Sequence, residues 1–152
     1  MQDKIFNGDA FNFSNLQDKQ FDVTFHNGFW VLFENDDEIK KLAQEQARIT
    51  KNKMIVTVHN GHNKDFIRYF DELSKEDDLY KIRFFKKDEI ADLMLSVCKS
   101  VTVYPVGKGK KYFEDQMINE GKYSRKELKE FFDKIKLKNL EISERLLFIG
   151  YL

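Results

Sequence analysis

Three histidines carry most of the acid–base chemistry this chain could offer, and all three fall where a strand is expected to end: His26, His59 and His62. An imidazole titrates near neutrality, so a strand-end histidine such as His26 can serve as a general base toward a hydroxyl or amine. The same residue type at a strand end also serves as a plain backbone hydrogen-bonding group, and both roles stay open for His26. The spacing His59-Asn-Gly-His62 is not a metal signature, and no cysteine or carboxylate is placed to complete a zinc-like set, so no metal is assigned. Trp30, with Phe29 and Phe33, offers ring faces to a substrate or to a core. The lysines at 108, 110 and 111 suit an anion or a solvated turn. Asp9, between Gly8 and Ala10, reads first as a turn residue.

The elements that must hold these residues follow from pattern. Residues 4–6 and 21–26 read as strands, the second ended by Asn27-Gly28, which tolerate positive φ. Residues 36–50 read as a helix capped by Asn35, with Glu38 three residues on. Its apolar positions Ile39, Leu42, Ala43, Ala47 and Ile49 recur at helical spacing. The continuous apolar run 54–58 reads as a strand buried on both faces. A helix over 64–75 follows, with Asn63 as its cap and Phe66, Phe70 and Leu73 inward. Residues 82–85 read as a short extended segment, 87–98 as a helix, and 101–104 as a strand closed by Pro105 and Gly107. A Lys-rich stretch over 108–143 contains Ser124 and Glu127 at capping-box spacing, which predicts a helix over 125–137. Residues 145–149 read as the last strand. Strands alternating with helices predict an α/β sheet, mostly parallel and covered by helices.

Composition bounds the function. The 152 residues suffice for one domain with a core, and 15 Phe argue against disorder. The 26 basic and 26 acidic residues balance, which argues against a nucleic-acid partner. No apolar run is long enough for a membrane span, and one cysteine, Cys98, excludes an internal disulfide and fits a reducing compartment. The expectation is a cytoplasmic protein with no membrane partner.

Taken in order, "NGDAFNF", "FDVTFHNGFWVLF", "KNKMIVTVHN", "FFKKDEIADLMLSVCKSVTVYPVGK" and "ERLLFIGYL" resemble the C-terminal half of a class I S-adenosylmethionine-dependent methyltransferase. The resemblance implies a partial Rossmann-like sheet holding the family's strands three to seven, with the last strand antiparallel. It implies one domain over 1–152, a truncated methyltransferase domain with a helical insert at about 108–143. It also implies S-adenosylmethionine as cofactor and a small-molecule methyl acceptor. Asp9, Ala10 and Phe11 match the family's adenine contact, while His26, Asn27 and Gly28 match the strand end where the cofactor's methyl group meets the substrate. His26 is then the candidate base.

The family's glycine-rich turn and the acid that holds the ribose have no counterpart here; by the family pattern they would precede Met1. Gly107-Lys-Gly109 follows the wrong strand. Three expectations follow for the strand over 21–26, which has lost its neighbour: residues 4–6 slide in beside it, two copies pair as a homodimer, or a complementing N-terminal half fills the place. The competing reading is a non-catalytic structural or interaction module derived from a methyltransferase.

Overall fold

The structure, a computed structural model, describes residues 7–107, 124, 126–127 and 140–152. Four strands form one sheet: β1 (Phe21–Asn27), β2 (Thr50–His59), β3 (Ser100–Val106) and β4 (Arg145–Tyr151), in the order β1-β2-β4-β3. β1 and β2 run parallel; β4 lies between β2 and β3, antiparallel to both. This is the mixed α/β arrangement the resemblance implies, antiparallel last strand included. The expected strand over 4–6 and most of the expected helix over 125–137 lie outside the described residues. Of that helix's start, the Ser124–Glu127 pair is seen: Glu127 accepts from the Ser124 backbone at 2.8 Å and Ser124 Oγ accepts from the Glu127 backbone at 3.3 Å.

The helices are α1 (Asp36–Ile49), α2 (Lys64–Leu73) and α3 (Lys87–Leu95). Asn35 caps α1 by accepting from the Asp37 backbone at 2.9 Å, and Asn63 caps α2 by accepting from Phe66 at 3.0 Å. Each cap satisfies one of the orphan donors at a helix start. α1 buries the predicted stripe, with Gln46 added to it. Together with Trp30, Phe85, Ile90 and Met94, that stripe packs on the sheet face formed by Met54, Val56, Val58, Leu146 and Phe148.

Gln46 is tolerated in that stripe because a closed circuit absorbs it. Gln46 Nε2 donates to Thr24 Oγ1 at 3.0 Å, the Thr24 and Thr50 hydroxyls lie 2.6 Å apart, and Thr50 Oγ1 donates to the Gln46 carbonyl at 2.6 Å. Buried polar groups cost little when each finds its partner.

Several expected boundaries move. β2 starts at Thr50 rather than 54, directly from the last turn of α1, because Thr50 pairs with Phe21 and Lys53 with Val23 along β1. α3 ends at Leu95, short of the expected 98. Pro105 does not close β3; it sits inside the strand, opposite Leu146. Among the described residues β3 has a single neighbour, so a residue without an N–H can occupy its outer side. The left-handed φ of +94° at Gly107 ends the strand instead. Residues 82–85 form no strand. They contribute one parallel bridge, Asn60 to Phe85, and a Cβ at Gly61 would lie 2.9 Å from the Phe85 carbonyl carbon.

Candidate functional site

Residues 7–19, which hold the candidate Asp9, Ala10 and Phe11, form turns strapped to α1. Arg48 holds the strap. Its guanidinium donates to the carbonyls of Leu16 and Phe13, both at 3.0 Å, and bonds Asp18 and Glu45. The hydrogen bonds from Glu45 and then Asp18 raise the Arg48 pKa further, and Arg48 in return holds the Glu45 carboxyl below its usual range. Glu45 Oε1 also accepts from the Phe13 backbone at 2.7 Å. Sequence reading did not single out Arg48; apart from Glu45, one turn away, its partners lie 30 to 35 residues upstream and carry no pattern.

The strap brings one residue of each predicted cluster to one place. Ala10 and His26 line the same cavity of about 320 Å³, together with Phe13, Phe29, Trp30 and Leu42. Ring contacts continue the connection: Phe11 meets Phe33 edge-on at 5.5 Å, Phe33 meets Phe29 at 5.2 Å, and Phe29 meets His26 at 6.2 Å. Asp9 is exposed, and its Oδ1 accepts from the Phe11 backbone at 2.9 Å, so it does act as a turn residue. Its second carboxylate oxygen remains an acceptor. An apolar, aromatic cavity of this kind fits a flat heteroaromatic ring such as adenine, and Asp9 precedes the lining residue Ala10 in the chain. Nothing among the described residues forms a glycine turn that could seat the methionine end of the cofactor.

His26 lies 4.9 Å from Trp30, with both ring nitrogens buried and without a hydrogen-bond partner among the described residues. Desolvation lowers its pKa to about 4. The ring is therefore neutral at physiological pH.

Asn27 and Gly28 serve a different side. Successive strand residues face opposite ways. His26 is level with Val56 on the α1 side of the sheet, whereas Asn27 is level with Thr57 on the other. His59, two residues beyond Thr57, shares that second side. The three histidines thus do not converge, and no cluster of metal-ligating side chains occurs among the described residues. His62 turns away to accept from the Lys87 backbone at 2.9 Å.

His59 stacks on Phe66 at 5.8 Å and meets Phe70 and Phe84 edge-on at 5.3 and 5.6 Å. Burial first, then the nearby Arg145 charge, lowers its pKa to about 4. Thr57 Oγ1 donates to Asn27 Oδ1 at 2.6 Å, and Arg145 Nη1 donates to the same oxygen at 3.2 Å. Gly28 adopts φ +72°, and a Cβ there would stand 3.2 Å from the Arg145 guanidinium. Arg145 was read from sequence only as the start of a strand; no local signal could assign it to Asn27, 118 residues away.

No protein-family model matches the sequence, and no curated protein matches it. Solved structures do match. A SAM-dependent methyltransferase from Thermotoga maritima superposes with a TM-score of 0.61 at 19% identity, covering 95% of this chain and 61% of its own. One from Archaeoglobus fulgidus gives 0.65 at 12% identity, covering 97% and 66%. One from Methanosarcina mazei gives 0.54 at 12%, covering 95% and 64%. The chain spans somewhat less than two thirds of the length of these neighbours. Such likeness establishes the fold: this chain has the fold of that portion of a SAM-dependent methyltransferase.

Proposed function

We propose that the chain supplies the C-terminal part of a SAM-dependent methyltransferase acting on a small molecule. On this reading Asp9, Ala10 and Phe11 form the adenine end of the cofactor site. His26, Asn27 and Gly28 form the strand end beside the transferring methyl group. The observation that carries the reading is that residues 7–19 and the end of β1, distant in sequence, meet at one aromatic cavity on a sheet of the methyltransferase order.

His26 enters this proposal as the candidate base. Its desolvation keeps it unprotonated but weakly basic, so its contribution is greatest once a polar substrate supplies its nitrogens with partners. Much of the rate in a methyl transfer comes from holding donor and acceptor in line, and the Asn27–Gly28 backbone suits that positioning role.

Tight cofactor binding on this reading needs a glycine-rich strand–turn–helix beside β1, whose only pairing partner among the described residues is β2. A complementing polypeptide meets that need, and a second copy of the chain can occupy the same edge without meeting it. The experiment is calorimetric titration with S-adenosylmethionine, using the chain alone and then mixed with the product of any reading frame immediately upstream. Weak or no binding alone and clear binding in the mixture are expected. No binding in either arm sinks the proposal.

The second reading is a non-catalytic interaction module. It is favoured by the split of the candidate site, His26 facing the α1 side of the sheet and Asn27 the other. Methyl transfer by the purified chain would overturn it.

A further inference from the structure

We propose that Arg145 is the docking point for a negatively charged group, a carboxylate or phosphate, on the methyl acceptor. This rests on the methyltransferase reading and adds to it the charge class of the acceptor.

The argument begins with the other arginines. Arg48 pairs with Asp18 and Glu45, Arg68 with Asp65, and Arg83 with Asp36. Among the described residues, Arg145 is the arginine without a carboxylate partner. Among the described residues its acceptor is the neutral amide oxygen of Asn27, at 3.2 Å. A guanidinium carries five donors in a planar fork that matches carboxylate and phosphate geometry. One of the five is used on Asn27, which draws the guanidinium to the end of β1 and leaves the other donors for a ligand.

Position supports the same conclusion. Arg145 opens β4 level with His59 on β2, and its side chain reaches across β2 to the carboxyl end of β1. In open α/β sheets ligands bind outside the carboxyl ends of the parallel strands. Gly28 leaves the space under the guanidinium that any side chain would fill. The His59 ring edge lies 4.0 Å from that same Gly28 Cβ position, and behind it His59 is buried against Phe66, Phe70 and Phe84, so the guanidinium borders buried rings on that side and a contact there is screened less than in open water. A small organic anion fits a cation placed there without a carboxylate partner.

The test uses nuclear magnetic resonance on the full chain, following the Arg145 Nε–H and His59 Cε1–H signals. Inorganic phosphate and benzoate are added, with sodium chloride and benzamide as controls at matched ionic strength. Saturable shifts with the two anions, at concentrations on the order of millimolar, are expected, and neither control should reproduce them. R145Q should weaken the response by about tenfold or more, and R145K should keep part of it. No saturable shift, or an undiminished shift in R145Q, overturns the proposal. A further arm adds S-adenosylhomocysteine: an Arg145-dependent response to its amino-acid carboxylate would assign the site to the cofactor and overturn the acceptor assignment. None of these readouts needs methyl transfer. Anion binding at Arg145 with no cofactor binding in the calorimetric test would defeat the methyltransferase reading alone; the reverse pattern would defeat only this one.

Discussion

The guanidinium of Arg48 donates to the carbonyl oxygen of Phe13 at 3.0 Å across 35 residues of sequence. That bond, with its companions to Leu16, Asp18 and Glu45, holds the Asp9–Phe11 turn against α1. Without it the segment keeps only the Glu45 bond to the Phe13 backbone, the Lys19 bonds to the end of α1 and the Phe11–Phe33 contact. In Arg48→Met, amide hydrogen exchange over residues 13–19 should accelerate by about tenfold or more, with the β2 amides unchanged. Equal protection in variant and parent would show that the strap is held by other contacts.

Asn60 makes a comparable tie at the other end of the sheet. Its side-chain amide is fully buried and donates to the Leu140 carbonyl at 2.6 Å, the Ser143 carbonyl at 2.8 Å and Ser143 Oγ at 2.9 Å. Its Oδ1 accepts from the His62 backbone at 3.0 Å. Asn60→Ala removes this donor from the Leu140 carbonyl and Ser143 Oγ, leaves the Ser143 carbonyl only its 3.2 Å bond from Asn63, and should destabilise by about 1–3 kcal/mol. Urea unfolding measures this, and a midpoint within error of the parent would contradict it.

Stability should fall on mild acidification. His26 and His59 both have folded pKa values lowered to about 4 from 6.5, chiefly by desolvation. Between those limits the unfolded chain binds more protons than the folded one. The associated stability is therefore fully present above about pH 6.5, is lost as pH falls toward 4, and has no further slope below that. Each histidine contributes up to about 3 kcal/mol to this loss. Glu45, held low by Arg48, adds a separate loss at lower pH. Urea midpoints at pH 7.5 and 5 should differ clearly, and His26→Leu should shrink the difference by roughly half.

Gly150 is fixed by packing. A Cβ there would lie 2.5 Å from Cys98 Sγ, 2.9 Å from Met94 Cε and 3.1 Å from Met54 Cγ. Gly150→Ala should cost about 1–3 kcal/mol through overpacking. Adding Cys98→Ala should recover part of that cost, because the two sites share one contact. Strict additivity of the two changes would show that the strain lies elsewhere.

Most of the sheet was legible because its determinants are local. The apolar run of β2, the stripe of α1 and the caps Asn35 and Asn63 each occupy a few consecutive residues. The polar start of β2, Thr50 to Lys53, was missed because those residues are fixed by pairing with β1 rather than by their own pattern. Pro105 looked like a terminator, and only the edge position of β3 makes it a strand residue. The meeting of Ala10 with His26 was implied by the family resemblance, and residue pattern gave no sign of it. The pleat that parts His26 from Asn27 follows from strand periodicity, yet which side each faces depends on where α1 packs. Arg48 and Arg145 were silent because their roles lie in contacts made across long stretches of chain.

β4 is wedged between β2 and β3, and among the described residues β3 touches no other strand. The route to the native state is constrained accordingly. The β1–α1–β2 unit can assemble from neighbouring segments, but β3 has nowhere to zip until β4 arrives from some forty residues downstream. Closing that long loop is entropically slow. Refolding should therefore show early protection at β1 and β2 and late, concerted protection at β3 and β4, with the Arg145 side of the molecule maturing last.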